Sequence, residues 1–181
     1  MSDDVILVIG GAGFIGSAVV RHLIRESEAT VVNVDALTYA ANLANLAEVE
    51  RNPRYHFGQV DICSAADIER IFAARRPTAV LHMAAETHVD RSIDDPLVFV
   101  RANVLGTATL LQVACRYWRT LAPAYKVRFR FHHVSTDEVY GSRPQSTFDT
   151  ALRRTVEWYL ANENWWQPLR AVTTLRLGLA G

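Results

Sequence analysis

Short runs of β-branched and other apolar residues alternate along this chain with longer segments of helical period. Val5 to Ile9 is a continuous apolar run, and Thr30 to Val34, Tyr55 to Val60, Ala79 to Met83 and Val127 to Ser135 repeat the theme, so five strands are predicted. Between them the apolar positions recur every three or four residues. The segment after Gly13 places Ile15, Val19 and Leu23 on one face and ends near Glu26. Ser64 to Ala74 reads as a helix capped by Ser64, with Ile68, Ile71 and Phe72 turned inward. A long helix begins near Pro96, which a first helical turn tolerates, and carries Phe99, Ala102, Leu110, Val113 and Ala114 toward Trp118. Strands alternating with helices predict the α/β class: a Rossmann-like, doubly wound parallel sheet covered by helices.

The pattern changes after Gly141 and Ser142. Arg143 to Ser146 is a break, and Thr147 to Leu160 reads as one amphipathic helix with Phe148, Leu152, Val156 and Tyr159 on a stripe. The expected organisation is therefore an incomplete Rossmann domain over residues 1–142, and a remnant of a C-terminal region over 143–181 with a helix at about 147–160. Ala171 to Gly181 reads either as a further strand or as a frayed end.

Composition adds bounds. A chain of 181 residues, 50% hydrophobic, carries one main body with a substantial core. Nineteen basic side chains balance 19 acidic ones, so charge gives no reason to expect nucleic acid or an anionic membrane as partner. Cys63 and Cys115 stand far apart with no ligand spacing around them, which suggests reduced thiols rather than a disulfide framework or a zinc site. The start, Met-Ser-Asp-Asp, is unlike a basic secretory leader, and no apolar run approaches the ~20 residues of a membrane span. A soluble, cytoplasmic protein is expected.

The densest chemical information lies at the first strand. Val5-Ile-Leu-Val-Ile-Gly-Gly-Ala-Gly-Phe-Ile-Gly16 runs from a buried strand through glycines into a helix, the context a dinucleotide fingerprint requires. The glycines can be framed as Gly11-x-Gly13-x-x-Gly16 or Gly10-x-x-Gly13-x-x-Gly16, and both keep Gly13 and Gly16. Gly10, Gly13, Phe14, Ile15 and Gly16 are thus placed under a pyrophosphate, close to the main chain and to the first amides of the helix. Asp35 ends the second strand about twenty residues later, where a carboxylate accepts hydrogen bonds from the adenosine ribose. A 2′-phosphate would meet a like charge there, so NAD is the expected cofactor rather than NADP. Asp61, after the third strand with Ile62 beside it, either touches adenine or caps the next turn.

Three further phrases carry a resemblance. Val32-Asn-Val-Asp-Ala-Leu-Thr-Tyr-Ala-Ala-Asn-Leu43, Met83-Ala-Ala-Glu-Thr-His-Val-Asp-Arg-Ser-Ile93 and His133-Val-Ser-Thr-Asp-Glu-Val-Tyr-Gly141 closely resemble the dTDP-glucose 4,6-dehydratases, within the extended short-chain dehydrogenases/reductases. The resemblance implies NAD-dependent oxidation of a nucleotide sugar at C4, elimination of water across C5 and C6, and return of the hydride to C6. It gives Thr136 a hydrogen bond near C4, makes Asp137 the acid that protonates the departing hydroxyl, and makes Glu138 the base at C5. Adjacent carboxylates in different environments can divide such roles. It also places Thr87 near the nicotinamide and sugar, Ala84 and Ala85 as small residues beside the cofactor, and Asn103 on the long helix beside it. His88, Asp90 and Arg91 read as structural. A UDP-sugar epimerase shares the glycine fingerprint, but Thr136-Asp137-Glu138 favours the dehydratase.

Two departures stand out. Ala41 occupies a position where the family phrase has glycine. More consequentially, the family's Tyr-x-x-x-Lys pair is missing: every basic residue but Lys126 is arginine, and Ala122 lies four residues before that lysine. After Ser142 the chain jumps to a stretch resembling the family's C-terminal helix, as an internal deletion would leave it, without the substrate domain. Trp158, Trp165 and Trp166 then form either an exposed apolar patch or a folded-back core. The fifth strand lacks an outer neighbour, which invites a homodimer or aggregation.

Overall fold

A computed structural model describes residues 3–136, together with Arg153, Glu157 and Ala161, which are helical and exposed. The chain divides into two units, Met1–Ser135 and Thr136–Gly181, and the first contains the sheet and its helices. The expected helix at about 147–160, apart from Arg153 and Glu157, the segment 171–181 and the three tryptophans Trp158, Trp165 and Trp166 lie outside the described residues.

Among the described residues, five parallel strands make one sheet in the order β3-β2-β1-β4-β5: β1 Val5–Ile9, β2 Thr30–Asp35, β3 Tyr55–Gln59, β4 Ala79–His82 and β5 Arg130–His133. Register is set by β1, where Leu7 lies between Val32 of β2 and Val80 of β4. The helices of this unit are α1 Phe14–Glu26, α2 Ala65–Arg75, α3 Val89–Asp94, α4 Pro96–Phe99, α5 Thr107–Thr120 and α6 Pro123–Arg128, with a π-helical segment Val100–Gly106 fusing α4 and α5.

Because successive strand side chains point to opposite faces, β1 feeds two cores. Leu7 and Ile9, with Val32, Val34 and Val80, pack on Ile68 and Phe72 of α2 and on Leu110, Val113 and Ala114 of α5. Val8 and Val31 face the other way, onto Val20 and Ile24 of α1 and onto Leu46, Val49 and Tyr55. Burial of both faces explains why β1 reads as a continuous apolar run rather than an alternating one, and why the polar Asn33 within β2 is bonded, its Nδ2 donating to the Tyr55 hydroxyl at 3.1 Å.

Four local expectations need correction. The buried stripe of α1 is Gly16, Ser17, Val20 and Ile24, one position away from the predicted one, and Ile15 is 64% exposed. Close approach of Gly16 to the loop before it sets that rotation. Ser64 does occupy the N-cap position of α2, but its hydroxyl donates to the Asp67 carboxylate instead of accepting from the backbone. The fifth strand starts at Arg130, not Val127, because Pro123 opens a short helix whose last turn is closed by the Phe129 amide donating to the Tyr125 carbonyl at 2.9 Å. Finally, Pro96–Thr120 forms 25 continuous helical residues with a mean hydropathy of 1.5 over its most apolar window, long and apolar enough to cross a membrane. In this fold its buried side covers the sheet, and Arg101 and Asn103 within it are tied to residues at the strand tips.

Candidate cofactor site

In a doubly wound sheet the ligand crevice lies at the carboxyl ends of the strands, where the strand order reverses. Here that point is between β1 and β4, and a cleft opens there, floored by Ile9, Gly10 and Gly13 and walled by Asp35, Asp61 and Glu86.

The loop after β1 has a backbone that a side chain would forbid. Gly10 sits at φ 81°, and a Cβ on it would lie 2.7 Å from the Ala84 backbone. A Cβ on Gly16 would overlap the Gly10 carbonyl oxygen. The two glycines therefore bring the β1 tip, the β4 loop and the start of α1 into direct contact, and the first amides of α1 have no partners inside the helix. Phe14 and Ile15 belong to that first turn; their side chains are 89% and 64% exposed, and neither they nor Gly16 line the cleft, whose glycines are Gly10 and Gly13.

Asp35 ties this loop to β2. Its Oδ2 accepts from the Ala12 amide at 2.9 Å and its Oδ1 from the Leu37 amide at 2.8 Å, with the residue 8% exposed. The Asn42 amide donates to the Ala12 carbonyl at 2.9 Å, so the segment after β2 straps the glycine loop from both sides. Leu37 itself is held at φ 55°, a left-handed conformation unusual for a branched side chain. Each Asp35 oxygen keeps lone-pair capacity for further donors.

Asp61 serves as a cap and also lines the cleft. Its Oδ1 accepts from the Cys63 amide at 2.8 Å and its Oδ2 pairs with Arg101 at 3.1 Å. Burial pushes its carboxyl up, but the Cys63 amide and the Arg101 guanidinium outweigh that and hold it below the ordinary value. Arg101, which sequence reasoning missed, comes from the π-helical segment, where only the tertiary fold shows that it reaches the β3 tip.

Ile62, Ala84 and Ala85 line the cleft, whereas Thr87 is exposed and does not. Asn103 sits on the long helix and reaches the loop after β4. Its side-chain amide clamps the backbone of Glu86, accepting from the Glu86 amide at 2.8 Å and donating to the Glu86 carbonyl at 2.8 Å. Asn103 thus fixes the loop after β4. Below that loop His82 is fully buried, with Nε2 2.9 Å from the Thr107 hydroxyl and the His133 ring 4.8 Å away. Burial, and then the neighbouring His133, lowers its pKa to about 4. Thr136 is exposed and follows β5, while Asp137 and Glu138 lie outside the described residues.

Lys126 sits in α6, which precedes β5 and so belongs to the opposite end of the sheet from the cleft. Its ammonium lies 5.2 Å from the centre of the Trp118 ring.

Comparison with known proteins agrees with this arrangement. The family described as GDP-mannose 4,6 dehydratase matches residues 7–153. The chain belongs to that family. Among relatives of the GDP-mannose 4,6 dehydratase family, a dTDP-glucose 4,6-dehydratase of Salmonella typhimurium is 56% identical over 139 residues, which is 77% of this chain and 38% of that protein. Its counterpart in Neisseria meningitidis is 60% identical over 136 residues, 75% of this chain and 38% of the relative. The chain therefore spans well under half the length of these family members. The fold superposes on a dTDP-glucose 4,6-dehydratase of Streptomyces venezuelae solved with NAD bound, at a TM-score of 0.68 and 44% identity, covering 80% of this chain and 43% of that one. A UDP-glucose 4-epimerase of Thermotoga maritima gives a TM-score of 0.63 at 33% identity, covering 78% and 41%.

Proposed function

We propose that this chain is a nucleotide-sugar dehydratase by descent that keeps the NAD half of the site and is impaired in dehydration. One observation carries the cofactor reading. The glycine cradle, in which a Cβ at Gly10 or Gly16 would collide with backbone, is joined to Asp35 by the Ala12 amide, so anion-binding amides and a ribose acceptor are held in one rigid piece. NAD, when bound, supplies reversible hydride acceptance. The residues that would hold it are Gly10, Gly13, Phe14, Ile15 and Gly16 at the pyrophosphate, Asp35 at the adenosine ribose, Asp61 and Ile62 beside adenine, and Ala84 and Ala85 beside the nicotinamide half. Thr87 and Asn103 act through the β4 loop.

The substrate side follows from the relatives: dTDP-glucose or a similar nucleotide sugar, with Thr136, Asp137 and Glu138 as polariser, acid and base, in a lyase acting in the cytoplasm. Turnover is weak because removal of the C4 hydroxyl proton lacks its tyrosine–lysine pair. A phenol of ordinary pKa ~10 serves as base near neutrality only beside a positive charge, and such assistance is worth roughly 10²–10⁴-fold. The test is incubation with dTDP-glucose and NAD and a search for the 4-keto product. A trace or none is expected; turnover at ordinary enzymatic rates would overturn the reading.

A second reading, a non-catalytic NAD-binding module that docks on another chain or on a second copy, is favoured by the outer side of Pro96–Thr120. There Leu97 is 75% exposed, Val104 62% and Leu105 53%. Light scattering of the purified chain tests its self-association form: a dimer at micromolar concentration is expected, and a monomer speaks against self-association through these residues.

A further inference from the structure

We propose that Glu86 is the hydrogen-bond acceptor for the second ribose of a bound dinucleotide, the one on the β4 side of the cleft. This rests on NAD as the cofactor and extends that assignment to a residue it leaves unused.

Glu86 is 8% exposed and lines the cleft, and among the described residues its buried Oε2 has no hydrogen-bond donor. A buried carboxyl oxygen left without a donor costs free energy, and native folds leave few such atoms unexplained. Nor is its placement accidental: the Asn103 amide grips both backbone groups of Glu86 at 2.8 Å, so the side chain starts from a fixed point.

Topology says which ligand group comes there. Asp35 at the tip of β2 and Glu86 four residues past β4 stand on opposite sides of the β1 tip. The glycine loop lies between them, touching Ala84 through Gly10. A dinucleotide is two nucleosides joined through a pyrophosphate. With the pyrophosphate over the glycine loop and one ribose at Asp35, the other nucleoside leaves toward β4. Its ribose offers a cis-diol, two O–H donors, and along that wall Met83, Ala84 and Ala85 provide no side-chain oxygen or nitrogen to accept them. Glu86 does. A carboxylate receiving a diol is the same chemistry that Asp35 offers on its own side, so the cleft presents one acid to each ribose.

The experiment is calorimetric titration of the full chain and of Glu86→Leu and Glu86→Gln with ADP, ADP-ribose and NAD, alongside thermal melts without ligand. ADP lacks the second ribose; the other two carry it. Loss of hydrogen bonds to a charged acceptor predicts about tenfold to hundredfold weaker NAD and ADP-ribose binding in Glu86→Leu. A smaller loss is expected in the nearly isosteric Glu86→Gln, ADP should change by less than twofold, and the ligand-free melting temperature should not fall in either variant. Unchanged NAD affinity in both variants would overturn the proposal. So would an equal loss for ADP accompanied by a lower melting temperature, which would mark Glu86 as structural. A wild-type chain that binds ADP but gains nothing from the second ribose overturns the proposal alone; one that binds none of the three ligands overturns the NAD assignment as well.

Discussion

Acidification should destabilise this fold through His82 before most carboxylates titrate. The imidazole is fully buried and bonded to Thr107 at 2.9 Å, and its Nδ1 has no partner among the described residues. Its native pKa is about 4 against 6.5 when unfolded. The sign follows from proton binding. Above pH 6.5 the ring is neutral in both states and costs nothing. Between 6.5 and about 4 the unfolded chain takes up a proton that the native chain does not, so native stability falls as pH drops. Each pH unit in that window is worth about 1.36 kcal/mol, so two units, from 6.5 to 4.5, remove roughly 2.7 kcal/mol. With a urea slope of about 1–3 kcal/mol per molar, the midpoint should fall by about 1 M or more. The assay is urea unfolding followed by far-UV circular dichroism at pH 7.0 and 4.5, on the wild type and on His82→Gln, whose neutral amide does not titrate. The wild type should lose about 2–3 kcal/mol more than the variant between the two pH values. Parallel losses in both proteins would refute the assignment of acid sensitivity to this ring.

Other substitutions separate the scaffold from the site. Asp35→Ala removes the acceptors of the Ala12 and Leu37 amides and should cost about 2 kcal/mol in urea unfolding, besides weakening NAD at least tenfold by calorimetry. Asn103→Ala frees the backbone of Glu86 and should lower stability by about 1–3 kcal/mol, with faster hydrogen exchange confined to the β4 loop and its neighbours. Gly16→Ala places a methyl group into the Gly10 carbonyl and should abolish NAD binding and lower the melting temperature; an unchanged melt would mean that this loop yields more easily than its contacts suggest. Restoring a lysine by Arg130→Lys should not restore turnover, since β5 begins at the end of the sheet away from the cleft.

Much of the fold was legible in the sequence because parallel strands buried on both faces leave apolar runs, as in Leu7 to Ile9 and, broken only by the buried Asn33, in Val31 to Val34. The glycine fingerprint and Asp35 were legible because their spacing is dictated by the turn they form. What was hidden is tertiary. The rotation of α1 by one residue depends on Gly16 meeting the Gly10 carbonyl, a contact with no periodicity to betray it. The start of β5 was obscured because Val127 is β-branched, yet Pro123 and the Phe129-to-Tyr125 hydrogen bond make its segment helical. Arg101 and Asn103 are close together on a stretch of helix that winds as a π-helix, and nothing in their spacing says that one reaches Asp61 and the other clamps Glu86. His82 lay inside a strand pattern and carried no signal of its burial. Absence of the tyrosine–lysine pair, by contrast, is a property of the amino-acid sequence itself and needed no coordinates.

The most direct measurement is isothermal calorimetry of NAD with the purified chain, with Asp35→Ala alongside. Saturable one-site binding that weakens at least tenfold in the variant is the expected result, and would mean that the glycine cradle and its ribose acceptor work without the rest of a full-length family member. Absence of binding by a chain that melts cooperatively, or equal binding by both proteins, would contradict it.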